Sequence, residues 1–229
     1  MEFQWHMIEK DFFIGLANEK KDFVSLSTPR LLKKKQMIFQ EGEIGGSAFY
    51  LDEGRIRIFR ESFIGKEAIV FIRNRGEIFG LAELLGEQKR VFNAQAISSC
   101  RLYEIRKKDF EMLLQRHFPL AKRVIEILGR RVRYLGKQLE SLIVCDVATR
   151  LLGLLTCLCC QGVPDAKILD EPILIPVKLT QEQIAAMIGS TQQTVSETLK
   201  KLKKVGLIEV SGKGITILKP REIFERTMI

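Results

Sequence analysis

The sequence predicts an α+β protein with an all-β amino-terminal half, one long helix and a carboxy-terminal helix-turn-helix followed by a β-wing. Three observations support this fold class. Short apolar segments separated by glycines run from about Leu31 to Ile105, an apolar seam with helical spacing follows, and two capped helical segments flank Gly189. The predicted domains are residues 1–115, 116–146 and 147–229.

The composition is that of a folded, basic protein. Of the 229 residues, 46% are hydrophobic and 28% are charged, and the formal net charge is +9, which favours a polyanionic partner. The first residues lack the pattern of a secretion signal, and the longest apolar stretch, about Leu151–Cys160, is too short to span a bilayer. Five cysteines, an odd number, fit a reducing compartment, so we expect a cytoplasmic protein without a membrane partner.

The amino-terminal half reads as short strands. Its apolar segments are rich in β-branched and aromatic residues, and their spacing predicts an antiparallel barrel or sandwich. No helix of useful length is expected between Leu31 and Ile105. The predicted turns contain Gly42, Gly54, Gly65 and Gly76.

Helical periodicity extends from about Lys107 to Asp146. Its apolar residues are spaced alternately by four and three, which forms a narrow seam of about three heptads. A single amphipathic helix packed on its own domain would usually have a wider apolar stripe. The seam therefore favours a coiled coil between two chains. Its members are Ala121, Ile125, Leu128, Val132, Leu135, Leu139 and Leu142.

The last third predicts a winged helix-turn-helix. A helix beginning at Asp146 opens it, and residues 163–178 suggest a short hairpin. Thr180, with Gln183 three residues later, predicts a capping box for the first helix of the pair, and Gly189 supplies the sharp turn. Thr191 is the predicted cap of the second helix. Residues 208–218 predict two strands around a tight turn.

The outer face of the second helix is polar, and this points to double-stranded DNA. A glutamine amide pairs with the N6 and N7 edge of adenine, and short hydroxyls suit phosphate oxygens. Six lysines oppose one glutamate between positions 200 and 219. A pair of packed helices with a solvated lysine face would explain the charges alone. The predicted DNA-binding residues are Thr191, Gln192, Gln193, Ser196, Glu197, Lys200, Lys201, Lys204 and Lys213.

The order of these parts resembles the CRP/FNR family of bacterial transcription regulators. The segment LTQEQIAAMIGSTQQTVSETLKKLKKVGLIEV is the most specific match, and the likeness covers nearly the whole chain. It implies a cupin-like β-roll of the cyclic-nucleotide-binding type and a homodimer on a symmetric operator. It also implies a signal acting on the roll and RNA polymerase as a further partner. The alternative is a ligand-binding scaffold module whose helix pair binds protein.

The chain departs from the family at the segment that holds the cyclic nucleotide. Members that bind one carry a Gly-Glu pair for the ribose and an Arg-Ser pair for the phosphate. Here Leu81 follows Gly80 and Val91 follows Arg90, while Glu83 is a candidate displaced carboxylate. Each lost partner costs about 1–3 kcal/mol, so cyclic AMP is not expected to be the signal. Arg123 and Arg130 of the long helix are further candidates for an effector pocket.

The second helix of the pair, here called the recognition helix, also departs from the family's pattern. The cyclic-AMP type reads its operator with Arg, Glu and Arg, where this chain has Gln192, Gln193 and Glu197. Arginine favours guanine and glutamine favours adenine, so we expect a half-site richer in A·T than TGTGA.

Cofactors are left open by the sequence. Cys145, Cys157, Cys159 and Cys160 raise the question of an iron–sulfur cluster, but three of them diverge around one helix, and small buried cysteines are the more usual interpretation. His6 and His117 are the only possible histidine ligands for haem. An organic effector, or none, is equally compatible. No catalytic constellation is recognisable, so an enzyme is not expected.

Overall fold

The computed structural model describes residues 9–61, 67–159, 171–175, 179–212 and 214–227. Contacts divide the chain into two compact units, Ile8–Arg131 and Val132–Ile229. The division falls within a long helix, Phe118–Val144, which contributes to both units. The domain limits at 115 and 146 therefore stay predictions.

The first unit contains the predicted antiparallel β-roll. Its strands form two four-stranded sheets, in the orders β1-β8-β3-β6 and β2-β7-β4-β5. The strands are β1 (Thr28–Leu32), β2 (Met37–Phe39), β3 (Ser47–Glu53), β4 (Arg55–Glu61), β5 (Glu67–Asn74), β6 (Ile78–Phe79), β7 (Asn93–Ala96) and β8 (Cys100–Arg106). All of the pairings are antiparallel, which confirms the predicted all-β half.

Alternation along β3 builds two cores. Phe49 and Leu51 belong to a core that residues of both sheets share. Ala48 and Tyr50 belong to a second core with apolar residues of the helices of this unit. These helices are α1 (Ala17–Leu26), α2 (Leu81–Gly86), α3 (Lys107–Arg116) and the first turns of α4 (Phe118–Val144).

The helices of this unit differ from the sequence expectation in two places. The six-residue helix α2 lies inside the roll, between Gly80 and Glu87, which both adopt left-handed backbone conformations. It is too short to show helical periodicity. The predicted long helix is also divided, because α3 ends at Arg116 and His117 is extended. Proline is tolerated in the first turn of a helix, which allows α4 to restart ahead of Pro119.

Three buried charges, Glu9, Arg73 and Glu77, together with the half-buried Arg131, fasten α4 to the first unit. Arg131 donates two hydrogen bonds to the carboxylate of Glu9, at 2.7 and 2.8 Å, and Arg73 pairs with Glu77 at 3.1 Å. Burial raises the pKa of Glu77 and lowers the pKa of Arg73, and the charge of Arg131 lowers the latter further. Because an unpaired buried charge is strongly destabilising, each member of the cluster requires the others.

The second unit has the predicted helix pair and wing. Its elements are α5 (Val147–Cys159), β9 (Ile173–Leu174), α6 (Gln181–Ile188), α7 (Gln192–Lys204), β10 (Ile208–Ser211), β11 (Gly214–Ile217) and α8 (Pro220–Thr227). The strands form an antiparallel sheet in the order β10-β11-β9. Most of the predicted hairpin at 163–178 lies outside the described residues. The strand β9 within it pairs with β11 of the wing.

Candidate functional sites

Local signals in the sequence set the geometry of the helix pair. Thr180 Oγ1 accepts a hydrogen bond from the Gln183 amide while Gln183 Oε1 accepts one from the Thr180 amide, which is the predicted capping box. Gly189 ends α6 with φ +63°, a conformation that favours glycine. Thr191 Oγ1 accepts from the Thr194 amide at 3.1 Å and so caps α7. These three predictions are confirmed.

The inner faces of α6 and α7 are apolar and buried. They pack into one core with residues of α5 and of the wing. The predicted inner residues are all members of that core: Ile184, Ala185 and Ile188 from α6, and Val195, Leu199 and Leu202 from α7. Because the buried residues of α7 follow helical spacing, the first residues of its opposite face are left in solvent.

That opposite face brings the predicted base-reading residues together. Gln192, Gln193, Glu197 and Lys200 are exposed and Ser196 is half-buried. Gln193 Nε2 donates a hydrogen bond to Glu197 Oε1 at 3.2 Å. These side chains line a surface depression of about 330 Å³ together with Gln181 at the start of α6. Gln181 was not among the residues predicted from the sequence, although its place directly after a capping residue was a usable signal.

The predicted phosphate-contacting lysines are accessible. Lys200, Lys201 and Lys204 are exposed on α7, two of them in its last turn. Cations at a helix carboxyl end also interact favourably with the helix dipole, so their position stabilises α7 as well. The wing strands β10 and β11 pair in register from Ile208 with Ile217 to Ser211 with Gly214. Lys213 lies outside the described residues.

The roll holds Arg90 in a closed network. Arg90 is 3% exposed, and its Nη1 donates to the Gly80 carbonyl at 2.9 Å and to Glu83 Oε2 at 3.0 Å. Its Nη2 donates to the Ser47 carbonyl, and the guanidinium stacks on the ring of Phe39 at 4.3 Å. Burial lowers the pKa of Arg90, and the contact with Glu83 opposes that shift.

The other predicted effector residues do not converge on Arg90. Leu81 is buried and Val91 is 46% exposed. Arg123 Nη1 donates to the Phe12 carbonyl and Nη2 to the Ile14 carbonyl, each at 3.1 Å, so Arg123 anchors the amino-terminal segment instead of facing a pocket. Arg130 is exposed. The expectation that Arg123 faces an effector pocket is therefore not met, because long-range contacts set the direction of its side chain. For Arg130 the expectation stays a prediction.

A cavity of about 370 Å³ opens at the roll, and Arg90 is one of its lining residues. Cations outnumber anions around it. Its charged lining residues are Arg30, Arg90, Arg106, Lys107 and Lys108 with Glu43 and Glu104. Arg30 pairs with Glu104 at 3.0 Å, and Phe39 and Phe49 supply aromatic walls.

The candidate ligands for iron or haem are placed as follows. Cys157 is buried and Cys145 is half-buried, while Cys160 and the side chain of Cys159 lie outside the described residues. His117 Nε2 lies 3.0 Å from Asp22 Oδ2, and His6 is outside the described residues. Within the described ranges, His, Cys, Asp and Glu side chains do not form a group of three suited to a metal ion.

The seam of α4 is largely exposed in the single chain. Ile125 and Val132 are each 69% exposed, Leu139 is 60% exposed and Leu142 is 50% exposed. Leu135 is 43% exposed, and Leu128 packs partly against the core of the first unit. In the described part of the chain, no helix is both long enough and apolar enough to cross a membrane. Because its apolar side chains are exposed in the single chain, the seam is a surface suited to another protein.

Comparison with known proteins agrees with this arrangement. Residues 29–117 match the family described as cyclic nucleotide-binding domain, and residues 147–223 match the Crp-like helix-turn-helix domain. The cyclic AMP receptor protein of Thermus thermophilus is 27% identical over 214 residues, which is 93% of this chain and 94% of that protein. The cAMP-activated global transcriptional regulator CRP of Pasteurella multocida is 30% identical over 184 residues, 80% of this chain and 86% of that protein.

A solved structure shares the fold. A CooA variant from Carboxydothermus hydrogenoformans superposes with a TM-score of 0.78 at 20% identity, covering 98% of this chain and 99% of that one. The two matched domains, the identity to relatives over most of their length and the shared fold agree with one another. The chain therefore belongs to the CRP/FNR family of DNA-binding transcription regulators, whose members form dimers.

Proposed function

We propose that two copies of the chain bind a two-fold symmetric DNA operator and that the start of α7 reads one half-site in each copy. The observation that best supports this is the exposed polar group of Gln192, Gln193 and Glu197 on a helix whose other face is buried. Glutamine pairs in bidentate fashion with adenine, so the preferred half-site is richer in A·T than TGTGA.

Contacts to the DNA backbone position the reading residues. Thr191 and Ser196 supply hydroxyls, and the lysines supply charge along the phosphates. The beginning of α6 joins them through Gln181, which lines the same depression as Gln192. Pairing along the α4 seam places the two recognition helices about 34 Å apart, one turn of DNA. The cationic contacts are Lys200, Lys201, Lys204 and the wing residue Lys213.

The roll of this chain is not suited to cyclic AMP, the nucleotide for which the two relatives are named. Arg90 already has a carboxylate partner in Glu83 and donates to two carbonyls. Leu81 and Val91 offer neither an acceptor for a ribose hydroxyl nor a hydroxyl for a phosphate. The signal acting on the roll is therefore of another chemical kind, and activation or repression depends on where the operator lies.

Selection from a random double-stranded DNA library tests both parts of this proposal. The full-length protein should enrich a palindrome with A·T-rich half-sites, and 1 mM cyclic AMP, roughly a saturating dose for a micromolar site, should leave its affinity unchanged. Recovery of TGTGA half-sites would contradict the reading residues. An affinity gain of about tenfold with cyclic AMP would contradict the account of the roll.

Salt dependence separates DNA binding from the scaffold alternative, in which the helix pair binds protein. Each phosphate contact contributes about −0.9 to the slope of log affinity against log salt concentration. Because α7 presents several lysines, we expect a steep slope. We further propose a cytoplasmic location, RNA polymerase as a partner and no catalytic activity, as expected for a regulator of this family.

A further inference from the structure

Arg150 in α5 is buried although it carries a charge. It is 8% exposed, and within the described ranges no carboxylate lies at ion-pair distance from it. Its guanidinium donates to backbone carbonyls instead. Nη1 donates to the Cys145 carbonyl at 2.7 Å, Nε to the Ile188 carbonyl at 2.9 Å, and Nη2 makes a long contact of 3.5 Å to the Gly189 carbonyl.

These three carbonyls belong to the ends of two helices. Cys145 directly follows α4, and Ile188 and Gly189 end α6. The last carbonyls of a helix lack partners inside it and carry the negative end of the helix dipole. One guanidinium therefore satisfies both helix ends and joins them. A lysine ammonium would keep the charge but not the planar fork that reaches both sets of carbonyls.

A second contact joins the carboxyl end of α4 to the turn at Gly189. A Cβ atom placed on Gly189 would lie 3.0 Å from Leu142 Cδ2, so the last turn of α4 packs directly on the turn between α6 and α7. Leu142 is also a member of the seam and is half-exposed. The turn that precedes the recognition helix is thus held by a seam residue on one side and by Arg150 on the other.

We propose that Arg150 is a positioning residue for operator binding. It fixes the turn at Gly189 to the carboxyl end of α4, so that pairing of the seams sets the distance between the two recognition helices. Without this link, each α7 can still bind DNA. The distance between the two α7 helices of the dimer, however, is no longer fixed. This inference rests on the proposed binding of a symmetric operator by a dimer.

The test compares Arg150→Lys and Arg150→Met with the wild type in the full-length protein. Arg133→Met is the matched control, because Arg133 is an exposed arginine of α4 outside the seam. The operator is the palindrome selected by the wild type, and a duplex series changes its half-site separation one base pair at a time. Affinity for each duplex and for unrelated DNA is measured, together with the sedimentation coefficient and thermal unfolding.

We expect Arg150→Lys to remain a folded dimer that binds unrelated DNA within about twofold of the wild type. Its affinity for the correctly spaced operator should fall about tenfold, while its affinity for duplexes one base pair longer or shorter falls less. The difference in affinity between the correctly spaced operator and the other duplexes therefore becomes smaller. A residue that only stabilised the fold would instead lower affinity for every duplex in parallel. Arg133→Met should keep the wild-type spacing profile.

A folded Arg150→Lys dimer with the wild-type spacing profile would overturn the proposal. If Arg150→Met fails to fold, the proposal is tested with Arg150→Lys and Leu142→Ala on the same duplex series. Leu142→Ala removes the contact with Gly189. The selection experiment with the wild type comes first, and it tests the proposed function and not the role of Arg150. If the wild type selects no palindrome, the proposed function itself fails before any variant is considered.

Discussion

Gln192 and Gln193 are neighbours at the start of α7, but their amides differ in hydrogen bonding. Gln193 donates to Glu197 one turn later at 3.2 Å. The side chain of Gln192 has no hydrogen-bond partner in the described part of the chain and is exposed. An adenine edge can therefore be met by Gln192 without breaking a contact within the protein. We expect Gln192 to carry more of the base preference than Gln193.

Replacing Gln192 with alanine should relax base preference at one operator position and cost about 1–3 kcal/mol for the preferred sequence. The measurement is competition binding against operators with each base at each half-site position. Gln115→Ala, an exposed glutamine on α3, is the control and should change nothing. Unaltered sequence preference in Gln192→Ala would refute the assignment of the reading residue.

Replacing Lys204 with alanine should weaken binding to all sequences about equally, since a phosphate contact carries no base information. The slope of log affinity against log salt should become shallower by about 0.9. Lys34→Ala removes an exposed lysine from the roll unit and controls for net charge. A loss confined to the preferred operator would show that Lys204 contacts a base.

Residues whose role is set by near neighbours in the chain could be predicted from the sequence. Thr180 and Gly189 were predicted because a cap or a positive φ depends on a few adjacent residues. The contacts of Arg123 and Arg150 were not predicted. The partners of Arg123 lie 109 and 111 positions away along the chain, and those of Arg150 lie up to 39 positions away. Arginine at a helical position has the same sequence appearance whether it is solvated or donates to a distant carbonyl.

The length of a helix or strand decided whether it could be predicted. Helices α6 and α7 have enough residues to show an apolar face, and both were predicted. Helix α2 has six residues and was missed. Strand β9 has two residues, and nothing local indicated that it pairs with β11. The pairing of short elements depends on tertiary contacts that a sequence pattern does not contain.

The start of α5 should make stability depend on pH. Asp146 Oδ1 accepts the Thr149 amide at 2.8 Å, and this hydrogen bond is the main reason that the pKa of Asp146 lies below its usual 3.8. A carboxyl with a lowered native pKa stabilises the fold fully above its unfolded value, and the contribution is lost as pH falls through the native value. The cap itself is worth about 1 kcal/mol.

We therefore expect Asp146→Ala to lower the free energy of unfolding by about 1 kcal/mol at pH 7 and by less at pH 3, measured by urea denaturation. Asp146→Asn is the control, because asparagine caps a helix without titrating. Its difference from Asp146→Ala should be the same at both pH values. An Asp146→Ala deficit that persists undiminished at pH 3 would argue against the charged cap.

Helix α4 is anchored at its middle and at its carboxyl end. Arg131 fixes it to the first unit through Glu9, and Leu142 and Arg150 connect its carboxyl end to the helix pair. Between these anchors the seam residues Val132 and Leu139 stay exposed in the single chain. The sequence identified this seam by its spacing, but it did not indicate the anchors.

Leu135→Glu should dissociate the dimer, because pairing would bury like charges in the seam. We expect the dimer dissociation constant to rise at least about 100-fold, or roughly 2.7 kcal/mol, in analytical ultracentrifugation. Arg133→Glu places the same charge outside the seam and should remain a dimer. If Leu135→Glu still sedimented as a stable dimer, the chains would have to associate through another surface.

The proposed pairing through the exposed seam would also make regulation sensitive to gene dosage. When most chains are single, the paired form increases with the square of total concentration, so halving synthesis lowers it about fourfold. A promoter governed by the pair would then respond to changes in expression more steeply than one governed by a lone chain. Transcription of the regulator's own gene can thus set a threshold before any small molecule acts on the roll.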